Sequence, residues 1–282
     1  MSPAPPPSSG KRSEAGVASA TPAAASTSEA AVAQAPHRPL ALVTGATSGV
    51  GLAVCLDLAR DHDLILIARS AENLDALATA LTAEAGARVR SVPLDLTDDN
   101  AVSAAVARLD LDGLDVIVHS AGVESAGALE DLPPEQWRRV LDLNVVAPAH
   151  LTRLLLAPLR RAQGLVVLIN SGGGMRVWPG QTVYCASKHA LRAFADGLRE
   201  EERGRVRVTT IYPGRVDTPM QRRLHGKNAS MVEGAADGGA GRPYRAADHM
   251  TAESVAASVR LAVDMPLDAV VEDLSVRPGQ ML

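Results

Sequence analysis

The chain has few aromatic residues, few cysteines and little net charge. Of its 282 residues, 2% are aromatic, two are cysteines, and the formal net charge is -4. So few rings leave no ladder on which nucleobases could stack. A slightly negative chain also gains no electrostatic attraction to nucleic acid or to an anionic membrane. The composition therefore argues against nucleic acid and against a membrane as partners.

The two cysteines, Cys55 and Cys185, form no Cys-x-x-Cys pair and complete no zinc-binding set. We expect both to be small buried residues in a reducing compartment, and we expect no metal. No apolar run approaches the roughly 18 residues of a membrane helix. The N-terminus has no apolar stretch typical of a secretory signal. These features predict a cytoplasmic protein.

The first segment, residues 1–38, is rich in Pro, Ala, Ser and Thr and has neither helical nor strand periodicity. Such a segment buries too little apolar surface to offset its ordering entropy, so it predicts a disordered tail. A tail for targeting or partner binding and an over-extended translation start are alternatives.

Residues 39–282 alternate short apolar runs with longer amphipathic stretches and show no internal repeat. Near-continuous apolar strands separated by helices predict a parallel sheet covered on both faces. The predicted fold class is α/β, a single Rossmann-like doubly wound parallel sheet with helices on both faces. The predicted strands are 40–44, 64–68, 88–94, 115–119, 165–170, 206–212 and 269–276, and the predicted helices are 49–60, 71–85, 100–109, 134–161, 183–202 and 251–263.

One segment, residues 219–250, departs from this rhythm and is rich in Gly, Arg, Lys, His and Asn. It follows a predicted strand and precedes the last predicted helix, which places it at the ligand edge of the sheet. Loops this long in compact domains are usually functional or disordered. The segment predicts a mobile substrate lid, and a solvated surface loop is the alternative.

The first predicted strand runs directly into a glycine-rich turn, residues 44–51, which reads Thr-Gly-Ala-Thr-Ser-Gly-Val-Gly. Gly45 permits a tight turn, Gly49 lets the backbone approach a pyrophosphate, and Gly51 lets the helix pack closely on the sheet. The helix N-terminus offers unpaired N–H groups and the positive end of its dipole to an anion. The placement between strand and helix favours a dinucleotide-phosphate site over a merely structural turn.

Tyr184 and Lys188 lie four residues apart on a predicted helix and therefore share a face. A nearby cation favours the phenolate and lowers the tyrosine pKa from about 10, which makes the phenol a usable general acid/base. An exposed helix pair is the alternative. Ser171 ends a predicted strand at the ligand edge, and Asn144 lies within a predicted helix, where Asn is mildly unfavourable.

These motifs resemble the short-chain dehydrogenase/reductase family, and the resemblance covers residues 40–276. It implies an oxidoreductase that transfers a hydride between NADP(H) or NAD(H) and a carbonyl or secondary alcohol group of a small organic substrate. It also implies a homodimer or homotetramer.

By the same resemblance, four residues are catalytic. Ser171 orients and polarises the substrate carbonyl, and Tyr184 gives its proton to the forming alkoxide or takes it in oxidation. Lys188 holds the nicotinamide ribose and depresses the tyrosine pKa. Asn144 holds a water that links Lys188 to solvent.

The resemblance also implies a set of cofactor-binding residues. Asp95 matches an adenine-contacting aspartate, with a helix cap as the alternative. The family's usual Asn-Asn is replaced by His119 and Ser120, and we expect His119 to be a hydrogen-bonded structural residue. Three glycines, residues 172–174, follow Ser171 and predict a loose stretch beside the substrate. The predicted set is Gly45, Thr47, Ser48, Gly49, Val50, Gly51, Arg69, Ser70, Asp95, Leu96, Ala121, Gly122, Asn144, Tyr184, Lys188, Pro213, Gly214, Val216 and Thr218.

Cofactor choice depends on the end of the second predicted strand. An NAD enzyme of this fold normally carries Asp or Glu there, on the ribose 2′-hydroxyl. Here Ala68 occupies that position and is followed by Arg69 and Ser70. An arginine can pair with a 2′-phosphate that a carboxylate would repel. The pattern predicts NADP(H) rather than NAD(H), with an ordinary exposed arginine as the alternative.

The alternative function, from another class, is that of a non-catalytic NADP(H)-binding sensor or regulatory protein. The complete set of four catalytic residues argues against it, since a sensor would not need them. An epimerase or dehydratase of a related fold is disfavoured, because such chains usually carry an additional substrate domain. The substrate-selecting residues are expected within 172–180 and 219–250.

Overall fold

The computed structural model describes residues 38–228 and 244–279, and the strands, helices and contacts of the fold lie within those residues. Residues 1–37 of the predicted tail and residues 229–243 of the predicted lid lie outside this range. Cys55 and Cys185 are both buried and unbonded to each other, as expected.

Seven strands form one parallel sheet in the order β3-β2-β1-β4-β5-β6-β7. The chain starts at β1, winds outward to β3, then returns to place β4 on the other side of β1. This reversal opens a crevice at the carboxyl ends of β1 and β4, where open α/β sheets bind ligands. The strands are β1 Leu40–Thr44, β2 Asp63–Ala68, β3 Val89–Pro93, β4 Val116–His119, β5 Leu165–Ile169, β6 Arg207–Pro213 and β7 Asp273–Val276.

Helices cover both faces of the sheet, and the predicted doubly wound fold is confirmed. Alternate strand residues enter two separate cores: Val43 of β1 packs on one face, whereas Leu42 packs on the other. The helices are α1 Gly49–Leu58, α2 Ala71–Ala85, α3 Asp99–Leu109, α4 Pro134–Leu141, α5 Ala147–Ala162, α6 Thr182–Glu201, α7 Pro219–Asn228 and α8 Ala252–Val263.

The predicted helix 134–161 is not uniform. A π-helical turn, Asp142–Val146, joins α4 to α5. Such turns distort the hydrogen-bond ladder and often occur at functional sites. Asn144 lies in the middle of this turn, so the site and the distortion coincide.

The same stretch corrects one expectation about apolar length. By length and mean hydropathy, Pro134–Ala162 could cross a membrane, although no apolar run of that kind was predicted. A core helix meets the same test, and Leu151, Leu155 and Leu159 are buried in the core on one face of the sheet.

Candidate active site

The glycine turn adopts backbone conformations that favour glycine. Gly45 has a φ of 67° and Gly49 a φ of 53°, both in the left-handed region. A Cβ on Gly51 would lie 2.3 Å from the Gly45 carbonyl oxygen, so α1 can approach the strand end only without a side chain there. Ser48 begins α1, and its hydroxyl makes no capping hydrogen bond. The first N–H groups of α1 therefore stand open at the crevice.

Close backbone contacts bring predicted cofactor residues from distant parts of the chain to this turn. A Cβ on Gly45 would lie 3.0 Å from the Ala121 backbone, and one on Gly49 would lie 3.2 Å from Thr218 Cγ2. A Cβ on Gly122 would likewise lie 3.2 Å from Asn144 Oδ1. The turn, the end of β4 and the start of α7 thus lie together at the crevice, and the space that they border is called the glycine-turn groove.

Thr44 and His119 hold the chain beside this groove, at the stretch where His119 and Ser120 replace the family's two asparagines. The Thr44 Oγ1 accepts hydrogen bonds of 3.1 Å from the backbone N–H groups of both Ser120 and Ala121. The His119 Nε2 is 2.9 Å from Thr152 Oγ1, and burial lowers its pKa to about 3, so the ring is neutral. The structure confirms His119 as a hydrogen-bonded structural residue.

The end of β2 carries the residues predicted to select the cofactor. Arg69 is exposed, and Ser70 begins α2, where its Oγ accepts from the Asn73 N–H at 3.2 Å. Asp95 accepts hydrogen bonds from the Thr97 N–H and hydroxyl, which, with the charge of Arg69, hold its pKa below the usual range.

The helix-cap alternative for Asp95 is wrong, because Asp98 caps α3 by accepting from the Ala101 N–H at 2.9 Å. Leu96 is buried in the core beside Asp95. Both residues therefore lie where the chain leaves β3 and turns into α3.

The segment after β6 closes the opposite side of the groove. The Gly214 N–H donates to the Val276 carbonyl at 2.7 Å, which ties Pro213 and Gly214 to the last strand. Val216 pairs with Met250, and the Thr218 Oγ1 accepts from the Gln221 N–H at 3.3 Å at the start of α7.

Three of the four predicted catalytic residues meet at the carboxyl end of β5. Tyr184 and Lys188 lie one turn apart on α6, 8% and 6% exposed, and Ser171 follows β5. The Lys188 Nζ is 5.9 Å from the Tyr184 ring centroid and donates to the Ile169 carbonyl at 3.0 Å. The exposed-pair alternative for these residues is therefore wrong.

The pKa of Tyr184 differs from the expectation. Burial is the largest effect and raises it, the Glu124 charge raises it further, and only the Ser171 hydroxyl lowers it. Burial also lowers the pKa of Lys188 to about 8, against the charge of Glu124. Lys188 is not among the groups that shift the pKa of Tyr184.

Asn144 hydrogen-bonds directly to α6, at Ser187. Its Nδ2 donates to Ser187 Oγ at 3.0 Å and to the Val123 carbonyl at 2.9 Å, and its Oδ1 accepts from the Val123 N–H at 2.9 Å. The Ser187 hydroxyl donates in turn to the Tyr184 carbonyl at 2.7 Å. Asn144 thereby joins the loop after β4 to α6.

The glycines after Ser171 are tightly packed, which corrects the predicted loose stretch. The Ser171 Oγ accepts from the Gly173 N–H at 3.1 Å. A Cβ on Gly173 would lie 3.1 Å from Tyr184 Cε1, and one on Gly174 would lie 2.5 Å from Asn170 Oδ1. Gly173 is needed for the close approach of Tyr184, and Gly174 for the close approach of Asn170.

A cavity of about 420 Å³ opens beside Ser171 and Tyr184. Its wall includes side chains from the two segments expected to select the substrate. It also includes residues that sequence reasoning missed, from the loop after β4 and from the last residues of the described chain. The lining residues are Glu124, Ser171, Gly172, Met175, Arg176, Trp178, Gln181, Tyr184, Pro213, Gly214, Arg215, Gln221, Leu224, Arg277 and Pro278.

Glu124 is the most unusual of the missed residues. Its Oε2 is buried without a hydrogen-bond partner among the described residues. Burial raises its pKa to about 7, although Lys188 and Arg223 lower it. The only sequence signal was an acidic residue just beyond Ala121 and Gly122, at the carboxyl end of a buried strand.

Comparison with known proteins gives one family and many relatives. The family described as short chain dehydrogenase matches residues 39–229. A dehydrogenase/reductase SDR family member 7B of Bos taurus is 37% identical over 63% of this chain and 58% of its own, so the chain spans less than two thirds of that relative. A serine 3-dehydrogenase of Rhizobium radiobacter is 30% identical over 84% of this chain and 92% of its own.

Solved structures show the same likeness. An alcohol dehydrogenase from the archaeon Thermococcus sibiricus, complexed with 5-hydroxy-NADP, superposes with a TM-score of 0.75 at 26% identity. That match covers 86% of this chain and 98% of the other. Further similar structures were solved with NADP or NADPH bound.

Proposed function

Because the chain belongs to the short-chain dehydrogenase family of oxidoreductases, we propose that it transfers a hydride between NADP(H) and a carbonyl or secondary alcohol group of a small organic substrate. The observation that carries the proposal is the grouping of Ser171 with the buried Tyr184 and Lys188, with Ser171 and Tyr184 lining the cavity. The names of relatives, such as serine 3-dehydrogenase and cyclopentanol dehydrogenase, describe oxidation of alcohols by those proteins.

The groove suits a dinucleotide. Side chains at Gly45, Gly49 or Gly51 would fill the space that the strand end, Ala121 and Thr218 enclose. The open N–H groups at the start of α1 suit a pyrophosphate, and Thr218 and Gly214 would flank the nicotinamide end. The bound cofactor supplies the hydride acceptor or donor.

The chain's own residues would handle orientation and protons. The Ser171 hydroxyl would donate to the substrate oxygen, and Tyr184 would give a proton to that oxygen in reduction or take it in oxidation. Lys188 has a pKa of about 8, which lies near neutrality. It would therefore exchange a proton at the side of the site where Tyr184 lies. Asn144 would act as a positioning residue through Ser187.

NADP(H) is favoured over NAD(H) by the exposed Arg69 after β2, where no carboxylate stands at Ala68. The NADP and NADPH complexes among similar structures support the same choice. A homodimer or homotetramer and a cytoplasmic location stay predictions. No observation favours a non-catalytic sensor.

The test is a screen of purified protein against a panel of ketones, aldehydes and secondary alcohols, with NADPH or NADP⁺ followed by absorbance. We expect turnover of several compounds and at least about tenfold higher kcat/KM with NADPH than with NADH. NADPH binding without turnover of any compound would favour the sensor instead.

A further inference from the structure

The proposed chemistry gives no role to Glu124, the one carboxylate among the described residues that line the cavity. Glu124 follows Val123, whose N–H and carbonyl are both held by Asn144 at 2.9 Å. The backbone that carries Glu124 is therefore fixed relative to α6. Its side chain enters the cavity that Ser171 and Tyr184 also line.

The Glu124 carboxylate has no protein partner among residues 38–228 and 244–279. Its Oε2 is buried and makes no hydrogen bond, and no ion pair joins it to a cation in that part of the chain. Burying an acceptor without a partner costs about 1–3 kcal/mol, and more for a charged group. A group that fills the cavity and donates to this carboxylate would recover that free energy.

Cations face Glu124 but do not satisfy it. Lys188 of α6 donates to the Ile169 carbonyl, and Arg223 of α7 is exposed to solvent. Two further cavity arginines are held by carbonyls, Arg215 by that of Asp248 and Arg277 by that of Tyr212. Arg176 also lines the cavity and is exposed.

The charge of Glu124 opposes the chemistry proposed for Tyr184. It raises the pKa of Tyr184, and alcohol oxidation needs the phenolate as the base. A proton on Glu124 would remove this effect. A cation on the substrate would remove it too, and would also pair with the carboxylate.

We propose that Glu124 is a specificity-determining residue that pairs with a protonated amine beside the reacting carbon, so that vicinal amino alcohols and the matching amino ketones are the preferred substrate class. This inference rests on the proposed function. In the oxidation, the carbinol C–H bond breaks and its hydride goes to NADP⁺, and the O–H proton goes to Tyr184 and then to solvent. The ammonium keeps its protons, and the products are the amino ketone, NADPH and one proton.

An ammonium fits better than a neutral donor for two reasons. A charge-assisted hydrogen bond is roughly twice as strong as a neutral one. An ammonium also cancels the negative charge beside Tyr184, whereas a hydroxyl leaves it in place. Amine substrates are therefore favoured both in binding and in the proton-transfer step.

The test compares isopropanolamine with sec-butanol, in which a methyl group replaces the ammonium. We expect wild type to oxidise isopropanolamine with about ten- to a hundredfold higher kcat/KM. Glu124→Gln, which keeps the shape and removes the charge, should abolish that preference. Glu130→Gln, at an exposed glutamate of the same loop, should leave it unchanged.

Sec-butanol separates a specificity role from a structural one. Because Glu124 ionises with a pKa of about 7, Glu124→Gln should oxidise sec-butanol as well as wild type at low pH. It should do so better than wild type as the pH rises above that value. Loss of activity toward both alcohols in parallel, with a lowered Tm, would overturn the specificity role.

Calorimetric titration of isopropanolamine into the NADP⁺-loaded protein provides a readout that needs no turnover. Binding to wild type should be at least about tenfold tighter than to Glu124→Gln. Equal binding to both, or turnover of sec-butanol without a preference for the amine, would overturn the inference while the proposed function stands. Turnover of neither alcohol, together with Glu124-dependent amine binding, would count against the proposed function alone.

Discussion

Arg69 offers a direct perturbation of cofactor choice. The double substitution Ala68→Asp with Arg69→Ala removes the cation after β2 and installs a carboxylate at the strand end. We expect the preference to reverse from NADPH to NADH. The carboxylate would repel a 2′-phosphate and accept a hydrogen bond from a ribose hydroxyl.

The magnitude follows from the exposure of Arg69. A hydrogen bond to a charged group contributes about 1.5–3 kcal/mol, and the lower end applies because the side chain is solvent-exposed. Arg69→Ala alone should therefore cost about tenfold in kcat/KM with NADPH and little with NADH. Ser70 should reduce this loss in kcat/KM with NADPH. Its oxygen caps α2, which leaves the hydroxyl hydrogen able to donate to the 2′-phosphate.

The assay measures kcat/KM with both cofactors for wild type, Arg69→Ala and the double variant. Arg108→Ala, at an exposed arginine on α3, is the matched control for loss of surface charge. If wild type uses NADH as well as NADPH, or if Arg108→Ala has the same effect as Arg69→Ala, the electrostatic reasoning is refuted.

Two further predictions concern stability. In Gly51→Ala the new Cβ would lie 2.3 Å from the Gly45 carbonyl oxygen, so we expect a loss of about 1–3 kcal/mol or more in urea unfolding. In Gly197→Ala the new Cβ would have no atom within 4 Å, so this substitution should stabilise α6 by about 0.5–1 kcal/mol. Equal changes in unfolding free energy for Gly51→Ala and Gly197→Ala would contradict the close-approach argument. Burial lowers the pKa of His119 from 6.5 to about 3, so the unfolded chain binds its proton more readily. The free energy of unfolding should fall below pH 6.5 by at most about 1.4 kcal/mol per pH unit. His119→Asn should reduce this pH dependence of the unfolding free energy. An unchanged pH dependence would show that groups other than His119 cause it.

Local patterns predicted the glycine turn and the helix that carries Tyr184 and Lys188 well. The roles of Gly45 and Gly51 depend on a strand, a turn and a helix that are consecutive in the chain, so spacing alone defines the geometry. Tyr184 and Lys188 likewise share a helix face through their separation of four residues. Alternating apolar runs similarly predicted all seven strands, with differences confined to their ends.

Long-range packing explains what could not be predicted. Glu124 enters the cavity only because Asn144 holds the loop after β4 against α6, a contact between separate parts of the chain. Arg277 and Pro278 reach the cavity because β7 lies beside β6. The raised pKa of Tyr184 reflects burial, which depends on the whole fold.

The substitution Tyr184→Phe tests the central claim most directly. It removes only the hydroxyl proposed to move the substrate proton, and the phenyl ring keeps the packing against Gly173. The measurement is kcat on a substrate found in the screen, with the Kd for NADPH measured in parallel. We predict that turnover is abolished while the Kd for NADPH stays within a few-fold of wild type. A kcat close to that of wild type would contradict the assignment of Tyr184 as the catalytic acid/base.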